Sequence, residues 1–213
     1  MVEGEGVASS PPLPAPGRVR GGTPPCGGRG KVVTILGDSI TAGLGLPERE
    51  ALPAQLAAAL ARLGVPAVVR GAGVSGDTTA GGLARVGYSV QRDTDLCVVA
   101  LGGNDLLQGL DPATTRANLA AIVRKLKARR IRVVLAGLSA PLAVGASYVR
   151  DFEAIFPVVS RREDVLLYPD LLAGVGQNPA LHQRDGIHPN AAGVAIIAAR
   201  LAPIVARGLR ERA

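Results

Sequence analysis

From Lys31 onward, aliphatic runs of strand length alternate with amphipathic stretches of helix length, and this alternation restricts the fold more than any other feature. The runs are "VVTIL" (32–36), "AVVR" (67–70), "LCVVAL" (96–101), "IRVVLAG" (131–137) and "VLLY" (165–168). Between them lie "ALPAQLAAALARL", "TTAGGLARVGYSVQ", "PATTRANLAAIVRKLKAR" and "YVRDFEAIFPVVSRR", and "AAGVAIIAARLAPIVARGL" follows Pro189. A half-exposed strand alternates apolar and polar residues. Near-continuous aliphatic strands need cover on both faces, which a parallel sheet between two helical layers provides. The pattern predicts an α/β fold: a three-layer α/β/α sandwich around a five-stranded parallel sheet.

Residues 1–30 read differently. They are rich in Gly and Pro and almost free of large apolar side chains, so they cannot bury enough surface to offset their ordering entropy. The expected organisation is a disordered extension over 1–30 and one domain over 31–213. The extension lacks the apolar core of a secretory signal, and Glu3 and Glu5 stand where such a signal is basic. The sequence as written is expected to be cytoplasmic.

Charge and composition exclude several classes. The net charge of +7 comes from 24 Lys and Arg against 17 Asp and Glu, an excess that suits nucleic acid or an anionic surface. The cations are scattered, however, and the densest group, "RKLKARRIR" (Arg124 to Arg132), closes a predicted helix, where positive charge complements the dipole. Two Phe, three Tyr and no Trp leave few platforms for stacking bases. No nucleic-acid partner is expected. No stretch of about 18 residues is free of both charge and helix breakers, so no transmembrane segment is expected either. Two cysteines give no metal-ligand spacing, and Cys97 reads as a small hydrophobe inside an apolar run.

In open α/β sheets, ligands bind beyond the carboxyl ends of the strands. After the first run comes "GDSITAG", after the second "GAGVSGDTT", after the third "GGNDLLQG" and after the fourth "LSAPL"; the fifth leads to "RDGIHPN". Ser39 can cap a helix or present its hydroxyl at a sharp strand-to-helix turn. "GDSITAG" has neither the Lys-Ser/Thr of a P-loop nor the spacing of a dinucleotide fingerprint. His188 is one of two histidines, the side chain best matched to base chemistry near neutral pH. Asp185, three residues earlier, can reach Nδ1 across a tight loop, or it can simply cap a turn beside an incidental surface histidine. Asn104 can close an Asx turn or donate its amide to a developing oxyanion. Gly76 is either a turn glycine or an unobstructed N–H donor. Asp38, Asp77 and Asp105 read as caps and loop braces beside these residues.

The order "GDSI", "SGDT", "GGND", "DGIHP", each at a strand end, resembles the SGNH (GDSL-type) hydrolase family over about residues 31–208. "LARVGYSVQRDTDLCVVALGGNDLLQGLDPATTRANL" and "DGIHPNAAGV" are similar to its bacterial arylesterase, acyl-thioesterase and lysophospholipase branch. The resemblance implies a flavodoxin-like sheet and a serine esterase acting on small-molecule esters or thioesters without metal or organic cofactor. It implies Ser39 as nucleophile, His188 as general base and acid, and Asp185 as its orienting carboxylate. The Ser39 and Gly76 N–H groups and the Asn104 side chain would form the oxyanion hole. Family members are often exported, unlike the location expected from this amino end. The sequence departs from the family pattern at Ile40, at Gly71 and in "SAPLAVGASY". Leu44, Leu46, Leu106, Leu107, Leu110, Leu138, Pro141 and Leu142 cluster at strand ends, where an acyl groove is expected. Two rival readings are a carbohydrate acetylesterase on the same fold, which wants aromatic or polar sugar platforms, and a non-catalytic anion- or nucleotide-binding module.

Overall fold

The computed structural model describes residue 1, residues 29–139 and residues 145–211. The expected extension therefore lies almost wholly outside the described residues. The sheet has five parallel strands, β1 (Lys31–Gly37), β2 (Ala67–Gly73), β3 (Leu96–Ala100), β4 (Arg132–Ala136) and β5 (Leu166–Tyr168), in the spatial order β2-β1-β3-β4-β5. This is the doubly wound flavodoxin-like order, whose direction reverses between β1 and β3. The burial pattern explains the aliphatic runs. Every residue of β1 after Lys31 is buried, as are all five of β3 and the last four of β4. Each such Val, Leu or Ile contributes about 1.5–3 kcal/mol relative to exposure. The edge strands β2 and β5 are only partly covered.

Eight α-helices flank the sheet among the described residues: α1 (Ser39–Ala42), α2 (Leu52–Arg62), α3 (Thr79–Ser89), α4 (Gly103–Leu107), α5 (Pro112–Ala128), α6 (Ala146–Glu153), α7 (Ile155–Glu163) and α8 (Ala191–Arg210). On one face α2 packs against α8; on the other, α3 packs against α5 and α5 against α7. The interior is filled by side chains such as Ile35, Leu36, Leu56, Leu101, Ile122 and Phe156, all below 2% exposure. Among the described residues α8 alone has the length and apolarity to cross a membrane. Its Val194, Ile197, Leu201, Val205 and Leu209 are nevertheless buried in the core shared with the sheet.

The structure differs from the sequence pattern in three places. "YVRDFEAIFPVVSRR" forms two helices, α6 and α7, divided at Ala154. Pro157, in the first turn of α7, has no N–H to give the Glu153 carbonyl, which weakens the ladder at this junction. The short helices α1 and α4 follow β1 and β3 directly and are too brief to show a 3.6-residue period. β2 continues three residues past the apolar run, through Gly71 and Gly73. Gly73 is a packing requirement. A Cβ there would collide with the backbone N of Ala42 and stand 2.7 Å from the Asp38 carbonyl oxygen. Bare backbone at the end of β2 thus lets α1 lie against it.

Candidate active site

Ser39 opens α1 at the carboxyl end of β1. Asp38 caps that helix, its Oδ1 accepting the Ile40 N–H at 3.1 Å, and Gly43 closes it in the left-handed region at φ 72°. The turn is tight enough that the serine comes straight off a buried strand, and Ser39 is 9% exposed.

The partner segment is a closed loop before α8. His182 and Pro189 pair as an antiparallel bridge, and the Gln183 N–H donates to the His188 carbonyl at 2.8 Å. Within the loop, Asp185 Oδ1 accepts the N–H groups of Ile187 and His188 at 2.9 and 3.0 Å. Asn190 fixes the far end: its Oδ1 caps α8 through the Gly193 N–H at 3.0 Å, and its Nδ2 donates to the Ala180 carbonyl at 2.8 Å. On this support the His188 Nδ1–H donates to Asp185 Oδ2 at 2.6 Å, while the Ser39 hydroxyl lies 2.8 Å from Nε2. The hydrogen bond from His188, then those from the two backbone N–H groups, hold the Asp185 carboxyl well below the usual aspartate range. An ionised carboxylate only accepts, so Nδ1 carries the proton and Nε2 presents a lone pair to the serine.

A second group of residues surrounds the same sheet edge. Val74 to Asp77 form a turn closed by the Asp77 N–H on the Val74 carbonyl at 3.1 Å, with Gly76 at φ 81°. That positive φ suits glycine. The Asn104 Nδ2 donates one hydrogen to the Asp77 carbonyl at 2.9 Å, which fixes the amide plane; among the described residues no partner takes its second hydrogen. Asp105 is buried and accepts the Thr79 N–H at 2.8 Å and the Thr115 hydroxyl at 3.1 Å, tying α4 to α3 and α5. Asp77 pairs with Arg85 at 2.6 Å. The three aspartates therefore cap or brace, as their positions suggest. Asp38 is 6% exposed, and burial raises its pKa against the opposing Ile40 N–H.

Arg85 and Gln183 are contributors that motif reading passed over. Gln183 Nε2 donates to the carbonyls of Leu44 at 2.8 Å and Pro189 at 3.0 Å, linking the loop after the serine to the loop of the histidine. Neither residue belongs to a short motif. Arg85 lies at the start of the stretch similar to the arylesterase branch, and Gln183 just before "RDGIHPN", but neither position by itself shows what its side chain holds.

The structure divides the leucines expected to line a groove. Leu138 is 9% exposed within the core, and Leu46 and Leu106 pack against it. Leu110 is half-buried, and its carbonyl accepts the Tyr148 hydroxyl at 2.8 Å. Leu44 and Leu107 are 47% and 68% exposed at the rim. Pro141 and Leu142 lie outside the described residues. Leu46 also lines a cavity of about 560 Å³ between α1, α2 and β2, with Thr41, Pro53 and Val69. No group of three or more His, Cys, Asp or Glu among the described residues is placed to hold a metal ion.

A hydroxyl, an imidazole and a carboxylate in one hydrogen-bonded line form an arrangement that can activate an oxygen nucleophile against a carbonyl. Comparison with known proteins gives the family. Residues 35–196 match the model of the GDSL-like lipase/acylhydrolase family. The Pseudomonas aeruginosa protein named esterase TesA is 39% identical over 160 residues, covering 75% of this chain and 80% of that protein. Thioesterase 1/protease 1/lysophospholipase L1 of Escherichia coli is 36% identical over 157 residues, covering 73% of this chain and 74% of that protein. The crystal structure of AlinE4, an SGNH-hydrolase family esterase, superposes with a TM-score of 0.72 at 42% identity, covering 87% of this chain and all of that one. The chain belongs to the GDSL-like lipase/acylhydrolase family and is an SGNH-type esterase.

Proposed function

We propose that Ser39, His188 and Asp185 carry out a two-step acyl transfer on carboxylic esters and thioesters. The observation that supports this most strongly is the unbroken line from Asp185 through His188 to Ser39, with hydrogen bonds of 2.6 and 2.8 Å. His188 Nε2 takes the hydroxyl proton as the Ser39 oxygen attacks the carbonyl, and Asp185 stabilises the imidazolium that forms. The tetrahedral oxyanion is held by the Ser39 and Gly76 N–H groups and by the second Asn104 amide hydrogen. His188 then returns its proton to the departing alkoxide or thiolate. Water, deprotonated by the same imidazole, attacks the acyl-enzyme, and collapse of the second oxyanion releases the acid and restores Ser39.

The acyl chain lies along the apolar surface beside α4, where Leu106 and Leu107 follow Asn104 and Leu138 backs them from the core. The exposed Leu107 gives this surface an open side, which suits short- to medium-chain acyl groups. A panel of p-nitrophenyl esters, acyl-CoA thioesters and lysophospholipids, with Ser39→Ala as blank, tests the reading. Wild-type protein hydrolyses esters in preference to the blank, and activity persists beyond butyrate. Asn104→Ala is slower by about two to three orders of magnitude in kcat. Wild-type turnover in the Ser39→Ala protein would contradict the serine mechanism; a sharp optimum at acetate would contradict the acyl surface.

A further inference from the structure

We infer that Arg85 is a positioning residue for the oxyanion hole, holding all three of its donors in register through one buried guanidinium. The inference rests on the assignment of Ser39, Gly76 and Asn104 as those donors. Arg85 lies on the second turn of α3 and is 6% exposed. Its planar fork reaches three separate segments. Nη2 donates to the Gly37 carbonyl at 2.8 Å, two residues before Ser39. Nη1 donates to the Ala72 carbonyl at 2.8 Å, near the end of β2. Nε donates to Asp77 Oδ2 at 2.6 Å, and Asp77 directly follows Gly76.

The third donor is reached at one remove. The Asp77 carbonyl accepts the Asn104 amide at 2.9 Å, so the residue that Arg85 grips also sets the plane of Asn104. Gly81 leaves room for this grip, since a Cβ there would strike Asp77 Oδ1. The strand ends of β1 and β2, the turn carrying Gly76 and the amide from α4 are thereby referred to a single rigid group. An apolar pair of similar volume could replace the Arg85–Asp77 ion pair with little loss, but it would leave the Gly37 and Ala72 carbonyls without their donor. A guanidinium offers what an apolar side chain cannot: several N–H vectors fixed in one plane. Lysine, with one ammonium, cannot satisfy three acceptors spread over three segments.

A double-mutant cycle between Arg85→Met and Asn104→Ala, read as kcat and KM on p-nitrophenyl butyrate, tests the inference. If Arg85 acts through the donors, Arg85→Met lowers kcat about 10- to 100-fold with KM within threefold of wild type. In the Asn104→Ala background the same change costs clearly less, because the donor it places is already gone. Equal fold losses in both backgrounds, or a kcat within threefold of wild type for Arg85→Met, would overturn the inference. If Arg85→Met does not fold, Asp77→Asn carries the same test. It preserves the Asp77 carbonyl and side-chain shape while removing the charge that Arg85 holds, and a loss at least fivefold smaller without Asn104 is expected of a starting loss of tenfold or more. A loss equal in the two backgrounds, or none, would again overturn the inference. Ser39→Ala run alongside keeps the two questions apart: wild-type turnover there would mean that the serine assignment fails, independently of Arg85.

Discussion

Asp38 and Asp185 both lie in the field of His188, yet their surroundings shift their acidities in opposite directions. Asp185 is exposed and receives hydrogen bonds from the imidazole and two backbone N–H groups, which favour its charged form. Its contribution to stability is present above the ordinary aspartate value near 3.9 and is lost only as pH falls through the lower native pKa. It therefore stays ionised throughout and above the ordinary aspartate range. Asp38 is buried, and desolvation outweighs the Ile40 N–H and the attraction of His188. Its native pKa is raised, so its ionisation weakens the fold as pH rises through the interval between the unfolded and native values. Asp38→Asn keeps an acceptor for the Ile40 N–H but removes the charge. The expected outcome is a higher Tm than wild type at pH 7, with the gap shrinking as pH approaches 4 and the native carboxyl becomes protonated. A gap independent of pH would contradict the burial origin of the shift.

Among the elements, α1 depends most closely on its neighbours. It is four residues long, so it takes its position from the β2 backbone it touches rather than from its own ladder. Gly73→Ala places a methyl against backbone atoms of Asp38, Thr41 and Ala42, none of which can yield by a side-chain rotation. The expected cost is about 1–3 kcal/mol of stability, with kcat/KM reduced more than tenfold as Ser39 moves from His188. Gly87→Ala is the matched control. It lies inside α3 with nothing within 4 Å of the added carbon, and a helical Gly→Ala change there stabilises by about 0.5–1 kcal/mol with activity unchanged. Denaturant unfolding and steady-state kinetics on both proteins check the pair; equal behaviour would contradict the packing argument. The same elements mark where sequence reading stops. The core strands β1, β3 and β4 were legible because burial on both faces writes itself as unbroken aliphatic runs. A helix after β1 was expected at Ser39 but not its length, and α4 was not legible, because a single turn shows no period; nor does a proline by itself announce a split, since Pro157 lies just past one while Pro203 lies inside the unbroken α8.

Over the whole molecule, the order β2-β1-β3-β4-β5 turns scattered sequence blocks into one site. Residues 39 and 188 are 149 positions apart in the chain and 2.8 Å apart in space. The reversal between β1 and β3 opens the crevice in which the loops after β1, β2 and β3 converge, and α8 begins at the histidine loop, so the core helix also anchors the base. The blocks could be read from sequence because each sits at a strand end, where small and polar residues interrupt an aliphatic run. Arg85 and Gln183 could not, because their importance lies in backbone carbonyls that only folding brings within reach. The most direct test of the account is the site of attack by a monoalkyl phosphonate ester carrying a good leaving group, located by peptide mass spectrometry and compared with residual esterase activity. The account predicts one adduct per chain, on Ser39, with hydrolysis lost in proportion to labelling and no adduct in the Ser39→Ala protein. Stoichiometric labelling elsewhere, or full hydrolysis by a chain modified at Ser39, would contradict it.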